Sequence, residues 1–135
     1  MKRKSIILVL VMAALLLLSG CSSNYSFTQT ADETKIKISA KKDATGESLW
    51  FSVPDGYAVE VTTSLDSGKV QLEFVEVVVS VIDGDEDVTT LDVVKSITVS
   101  GSDKVTVELP VNDYVIWVTA VENSKGTIET KVVKK

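Results

Sequence analysis

The chain has 135 residues, enough for one domain and few for two. Three of its 14 bases and none of its 19 acids lie in residues 1–20, so the remainder carries 11 bases against 19 acids, a net charge of −8. Such an acidic domain repels phosphate backbones, which argues against nucleic acid as a partner. The chain contains no histidine. It has one cysteine, so an intrachain disulfide is excluded.

A secretory leader is predicted over residues 1–20. Three bases precede an unbroken apolar run from Ile6 to Leu18, which is the layout of a signal peptide. As a helix, this run would span ~20 Å, whereas the hydrocarbon core of a bilayer is ~30 Å thick. We therefore expect a helical signal peptide and no permanent transmembrane helix here.

The leader ends in Leu18-Ser19-Gly20-Cys21. This sequence resembles the lipobox of bacterial lipoproteins, with Leu at −3, small residues at −2 and −1, and Cys at +1. The resemblance implies that the Cys21 thiol receives a diacylglyceryl group and that a dedicated peptidase cleaves between Gly20 and Cys21. Two acyl chains, at ~0.8 kcal/mol for each buried CH₂, are sufficient for stable membrane anchoring.

These features predict a lipoprotein on the extracytoplasmic side of a cell membrane, held through the lipid on Cys21. The outer membrane is the alternative if the source has two membranes. An ordinary signal peptide with a coincidental cysteine is the competing interpretation. It requires the sole cysteine of the chain to fall by chance at the one position that the motif needs.

Residues 21–34 follow the leader as the lipidated cysteine and a predicted polar tether. They show no apolar periodicity, as expected for a linker. Tyr25 and Phe27 leave an irregular first strand as the alternative.

From residue 35 onward the apolar residues recur with period two, which predicts β-strands. The phase of this alternation changes at Phe74–Val75, which indicates a β-bulge or a strand that crosses between sheets. Tyr114–Val121 is apolar on both faces and is predicted to be a central strand. Turn signals separate the strands at Pro54-Asp55-Gly56, Asp66-Ser67-Gly68, 83–87, Ser100-Gly101-Ser102-Asp103, 110–112 and 123–126.

Seven or eight such strands without an amphipathic helix predict an all-β fold, an antiparallel β-sandwich over residues 35–135. Residues 104–133 resemble the closing strands of jelly-roll domains in bacterial surface lipoproteins and of the pre-peptidase C-terminal type. The shared pattern is an alternating strand, a tight turn with Tyr114, an apolar strand, a glycine turn and a last strand. It implies a jelly-roll-like sandwich.

The absence of histidine excludes a Ser–His–acid triad, a Cys–His pair and a histidine-based zinc site. Ser39 and Lys42 have the S-x-x-K spacing of serine–lysine hydrolases. That spacing needs a helix, and on a strand positions three apart point to opposite faces. We therefore expect no catalytic residues and no cofactor.

Asp83, Asp85 and Asp87 resemble the start of a calcium-binding loop. The sixth position is Val88 instead of glycine and the twelfth is Val94 instead of glutamate, so the loop is incomplete. We expect a solvated acidic turn and no metal, with a different oxygen-rich site as the alternative.

Two tryptophans are the remaining candidate binding residues. Trp50 is out of phase with Leu49 and Phe51 and is expected to be partly buried, although an exposed indole there would suit a sugar ring. Trp117 shares a face with Val115 and is expected in the core.

The leading functional hypothesis is a non-enzymatic binding or structural domain in the cell envelope, with an envelope protein or a glycan as partner. The alternatives are a small glycan-acting enzyme built on a carboxylate pair and an accessory subunit of a transport or secretion complex.

Overall fold

The structure, a computed structural model, describes residues 24–82 and 86–135. The predicted leader with Gly20 and Cys21 lies outside these residues, as do 83–85. The described residues form eight strands and no helix, so none of them provides a helix that could cross a membrane. The strands are β1 (Tyr25–Gln29), β2 (Glu33–Ala40), β3 (Thr45–Glu47), β4 (Phe51–Val53), β5 (Tyr57–Ile82), β6 (Glu86–Val107), β7 (Asn112–Ala120) and β8 (Ser124–Lys134).

Strand β5 organises the fold because it is 26 residues long and takes part in two layers. Along one edge it pairs with β6 over nearly its whole length. Along the other edge its first half pairs with β8 and its second half with β7. The first layer continues from β8 to β2 and β1, and the second from β7 to β3 and β4. All pairings are antiparallel, so the predicted all-β antiparallel fold is confirmed.

The β5–β6 hairpin bends where β5 passes from β8 to β7. Gly68 has a φ of 89°, in the left-handed region that favours glycine. A Cβ atom on Gly68 would lie 2.4 Å from the Asn123 carbonyl oxygen and 2.6 Å from Ser124 Cα. The close approach of the β7–β8 turn therefore leaves no room for a side chain at this corner.

Two predicted turns were wrong, because both segments lie at this bend. Asp66-Ser67-Gly68 and Ser100-Gly101-Ser102-Asp103 lie within β5 and β6 and do not reverse the chain. The two glycine segments face each other in the hairpin, since Lys69 pairs with Ser100 and Ser64 with Ser102. Opposed glycine segments let both strands bend together, and the hairpin continues on the far side.

The core lies between the inner faces of the two layers. Each strand contributes alternate residues, as the period-two pattern predicted. The largest fully buried side chains facing this core include Tyr25, Ile36, Val59, Leu72, Phe74, Tyr114, Ile116 and Ile128.

The sandwich is closed at its other side by a side-chain amide. Gln29 is buried, and its Nε2 donates hydrogen bonds to the carbonyl oxygens of Leu49, at 3.1 Å, and Trp50, at 3.3 Å. Its Oε1 accepts a hydrogen bond from the Leu49 N–H at 3.0 Å. The Gln29 bonds join β1 to the segment between β3 and β4. Nearby, the Tyr25 hydroxyl donates to the carbonyl oxygen of Ala44, the residue before β3, at 2.6 Å.

The predicted tether over 21–34 is therefore too long. Tyr25–Gln29 forms β1, and β2 already begins at Glu33. The alternative of a first strand is correct, because Tyr25 pairs with Ile38 and is buried in the core. The polar residues around Tyr25 gave this segment no apolar periodicity in the sequence.

Replacing Gly68 with Ala should destabilise the domain by about 3 kcal/mol or more, because it combines left-handed strain with a backbone clash. Gly101→Ala is the matched control, since Gly101 also has a positive φ, of 63°, but has open space around its Cβ position. The control should be destabilised by only about 1 kcal/mol. Urea unfolding measures both free energies, and equal losses would contradict the proposed close packing at the corner.

The buried hydroxyl of Tyr114 makes the free energy of unfolding depend on pH in the alkaline range. Its hydroxyl donates to the Pro110 carbonyl oxygen at 2.5 Å, and burial, aided by the charge of Glu76, raises its pKa to about 12. Because the unfolded pKa is about 10, the folded state favours the protonated phenol. This stabilisation is complete below pH 10 and is lost as the pH rises to about 12.

Urea titrations between pH 9 and pH 12 should therefore show a falling free energy of unfolding, with a shallower fall in Tyr114→Phe. Burial also raises the pKa of Tyr25, so the variant should keep part of the slope. An unchanged slope in Tyr114→Phe would contradict the assignment.

Candidate functional site

The apolar side chains of β5 change faces in the second layer. Leu72 and Phe74 point into the core, whereas Val75 and Val77 point to the opposite, outer face. The side chains of β5 alternate without interruption against β7, and only the choice of apolar positions shifts. The second layer therefore has an apolar surface on each side.

The phase change at Phe74–Val75 indicated a β-bulge or a strand crossing. A bulge is found at this point, and its extra residue lies in the partner strand β6. Phe74 pairs with Lys95 and Val75 pairs with Val93, so Val94 is the extra residue of β6. A bulge of this kind increases twist and interrupts the pairing of an edge strand.

The outer side of the second layer carries exposed apolar residues over a buried floor. Val75, Val77 and Val115 are buried. Leu91 and Val93, which lie opposite Val77 and Val75 in the hairpin, are 45% and 48% exposed. We call this surface the outer apolar face; it consists of Val75, Val77, Leu91, Val93, Val115 and Trp117, with Trp50 packed at its margin.

Trp117 lies between two carboxylates on this face. It pairs with Glu47 of β3 on one side and with Glu73 of β5 on the other. Residues directly opposite in antiparallel strands share a face, with Cβ atoms ~5 Å apart. Thr45, Thr119 and these three side chains line a pocket of about 510 Å³. A cation bound there would be attracted by both carboxylates and by the indole ring.

A second pocket lies on the outer face of the first layer, and its charges are paired. Lys35 contacts Glu129 at 3.2 Å, and Lys131 contacts Glu33 at 3.5 Å. Glu60, the remaining charged residue of this pocket, contacts Lys104 at 3.4 Å. Exposed ion pairs of this kind contribute little to stability, and no charge of the pocket is left without a partner for a ligand. On the outer apolar face, the flanking carboxylates Glu47 and Glu73 form no ion pair with any cation among the described residues. This face is therefore the stronger candidate site.

The structure places both predicted tryptophans at this face. Trp50 is half-buried, as expected, and packs against the cluster of Val75, Val77 and Val115. Trp117 shares a face with Val115 as predicted, but this is the outer face, so Trp117 is only partly buried and lies outside the main core.

The other sequence candidates are dispersed. Ser39 lies in β2, whereas Lys42 lies in the turn that follows, where its backbone N–H donates to Asn123 Oδ1. Asp83 and Asp85 lie outside the described residues, and of Asp87 only the backbone pairing with Val81 is described. Within the described ranges, no three His, Cys, Asp or Glu side chains are grouped so that they could hold a metal ion.

Sequence reasoning missed Glu47 and Glu73 because β3 has only three residues and its pairing with β7 has no local signal. A signal for the outer apolar face was available in the apolar odd positions of β5 from Val75 onward. Those positions repeat on the side opposite the core residues that precede them.

No protein-family model matches the chain, and no curated protein matches it. Among solved structures, it is similar to the CENP-C cupin domain of Drosophila melanogaster, at 9% identity and a TM-score of 0.35, over 81% of this chain and 68% of that one. A structure of Drosophila melanogaster CENP-C bound to CAL1 is similar at 10% identity and a TM-score of 0.37, over 98% of both chains. Similarity at this level carries no argument about function.

The exposure of Leu91 and Val93 predicts that they are not needed for folding. The double variant Leu91→Ser/Val93→Ser should change the free energy of unfolding by less than about 1 kcal/mol, as is usual for surface positions. Val77→Ala, which truncates a buried floor residue of the same face, should destabilise by about 2 kcal/mol. Thermal and urea unfolding check both, and a large loss in the serine variant would show that the exposed residues serve packing instead.

Proposed function

We propose that the protein is a lipid-anchored extracytoplasmic lipoprotein whose β-sandwich is a non-enzymatic binding domain. The anchor is supported by Leu18-Ser19-Gly20-Cys21 after a basic and apolar leader. The resemblance to the lipobox implies lipid on Cys21 and cleavage after Gly20. The partner is an envelope protein or a glycan.

The observation that carries the binding role is the outer apolar face. Leu91 and Val93 are nearly half exposed on an acidic domain, on the same face as the partly buried Trp117. Contiguous exposed apolar surface on a soluble domain is typical of interaction sites, whereas isolated exposed side chains are not. The indole and the valine floor provide area for desolvation, and the carboxylates beside the indole provide selectivity.

The start of β1 fixes how far an anchored domain would stand from the bilayer. Tyr25 is four residues after Cys21, so the connecting chain spans at most about 14 Å. Tyr25 pairs with Ile38, Ile38 with Gly126, and Gly126 with Leu65, which puts the bend of β5 in the same row. Lipid on Cys21 would therefore hold the corner of the sandwich close to the membrane surface.

Replacing Cys21 with Ser in the full chain should abolish lipidation and leave the protein uncleaved or released from the membrane fraction. The reason is that the serine hydroxyl does not replace the thiol as the acyl acceptor. Ser23→Ala, two residues beyond the motif, is the matched control and should remain membrane-bound. Fractionation in the source cell, followed by mass spectrometry of the N-terminus, measures both.

An unmodified Cys21 in the native protein, or a cytoplasmic location of the wild-type chain, would overturn the anchor. Neither result bears on the binding role of the sandwich, which does not depend on lipid.

A further inference from the structure

Among the described residues, no strand pairs with the outer edge of β6. β6 runs for 22 residues, and in the described part of the chain its only strand partner is β5. A free edge presents a row of backbone donors and acceptors to any extended chain. The strand contains no proline, and its edge is interrupted by the bulge at Val94.

Exposed apolar side chains border this edge. Leu91 and Val93 belong to β6 itself and lie on the outer face, in the rows of Val77 and Val75. A strand added to β6 would place alternate side chains beside them, on the same face. Apolar residues at those positions of the added strand would extend the outer apolar face by one strand and cover Leu91 and Val93.

The charges near this face indicate a basic partner. The row of Glu47, Trp117 and Glu73 ends on β6 at Ser96, which pairs with Glu73. A lysine of an added strand next to Ser96 would lie about two strand spacings, roughly 10 Å, from Glu73, within reach of two long side chains. The acidic excess of the domain, 19 acids against 11 bases beyond residue 20, acts in the same direction.

We propose that the free edge of β6 binds an extended segment of a partner polypeptide, in which apolar and basic residues share one face. Main-chain hydrogen bonds to β6 hold the segment, its apolar side chains cover Leu91 and Val93, and its bases face Glu73. This mode of binding deepens the proposed function and rests on it. A second copy of this chain is a poor occupant because both surfaces would be acidic.

The probe is the synthetic peptide Lys-Thr-Val-Thr-Val-Thr-Lys, which carries lysine and valine on one face and threonine on the other. We expect it to bind the purified full-length chain with a Kd below ~100 µM. The counterpart Glu-Thr-Val-Thr-Val-Thr-Glu should bind at least about tenfold more weakly because its charges face the same carboxylates. A third peptide, N-methylated at its five internal residues, keeps all side chains but has no internal backbone donor on either edge, so it should bind at least about tenfold more weakly. Isothermal titration measures all three.

The variants separate the face from the rest of the surface. Leu91→Lys/Val93→Lys should weaken binding of the basic peptide at least about tenfold, since it places like charges beside the added strand. Val121→Lys is the matched control, because Val121 is 42% exposed in the turn between β7 and β8. Its N–H donates to the Lys69 carbonyl oxygen near the bend, which is remote from Leu91 and Val93. The control should bind as the wild type does.

Each other outcome overturns the proposal in a distinct way. Equal binding of the N-methylated peptide would leave a binding face but eliminate strand addition. No binding of any peptide would eliminate a peptide partner, while membrane fractionation still decides the anchor. Dimerisation of the wild-type chain in sedimentation, lost in Leu91→Lys/Val93→Lys, would show that a second copy occupies the edge instead.

Discussion

The bend of the β5–β6 hairpin is the constraint on which the rest of the fold depends. One hairpin serves both layers, so the two inner faces are covalently continuous across the corner. The corner works because Gly68 leaves space for the β7–β8 turn, which brings β8 beside the first half of β5 and β7 beside the second. A side chain at position 68 would push this turn away and displace β8 from the first half of β5 and β7 from the second half.

The opposite side of the sandwich is held by polar contacts. Gln29 uses its amide as a peptide group would, giving and receiving hydrogen bonds with the backbone between β3 and β4. Buried backbone groups need such partners because an unsatisfied one is destabilising by about 1–3 kcal/mol. The two sides therefore differ in kind, with continuous strands at one and a side-chain bridge at the other.

Much of the fold could be predicted because its strands show apolar residues that recur with period two. The alternation from Ile36 onward identified strands, and the phase change at Phe74–Val75 located the bulge. The segments around Gly68 and Gly101 were misread as turns, because glycine reports a permitted backbone conformation and does not report whether the chain reverses or bends. A bend is distinguished from a turn here only because the two glycine segments lie opposite each other in the hairpin. That pairing is set by the tertiary structure and has no local signal in the sequence.

The candidate site was less predictable for the same reason. The outer apolar face had a signal in the odd positions of β5. The two carboxylates that flank Trp117 had none, because strand pairing brings Glu47 and Glu73 to it from 70 and 44 positions earlier in the chain. The proposed lipid anchor rests on a different kind of signal, since the lipobox-like motif is linear and is recognised without reference to the fold.

The pairing of β2 with β8 has a consequence for the order of folding. Ile36 lies opposite Ile128, so the N-terminal strands find their partner only when the last segment of the chain is present. Pairings between distant segments are slow because loop-closure entropy is lost before contacts form. A chain that emerges N-terminus first completes the β5–β6 hairpin well before β8 appears. β1 and β2 therefore join the first layer only after β8 is present.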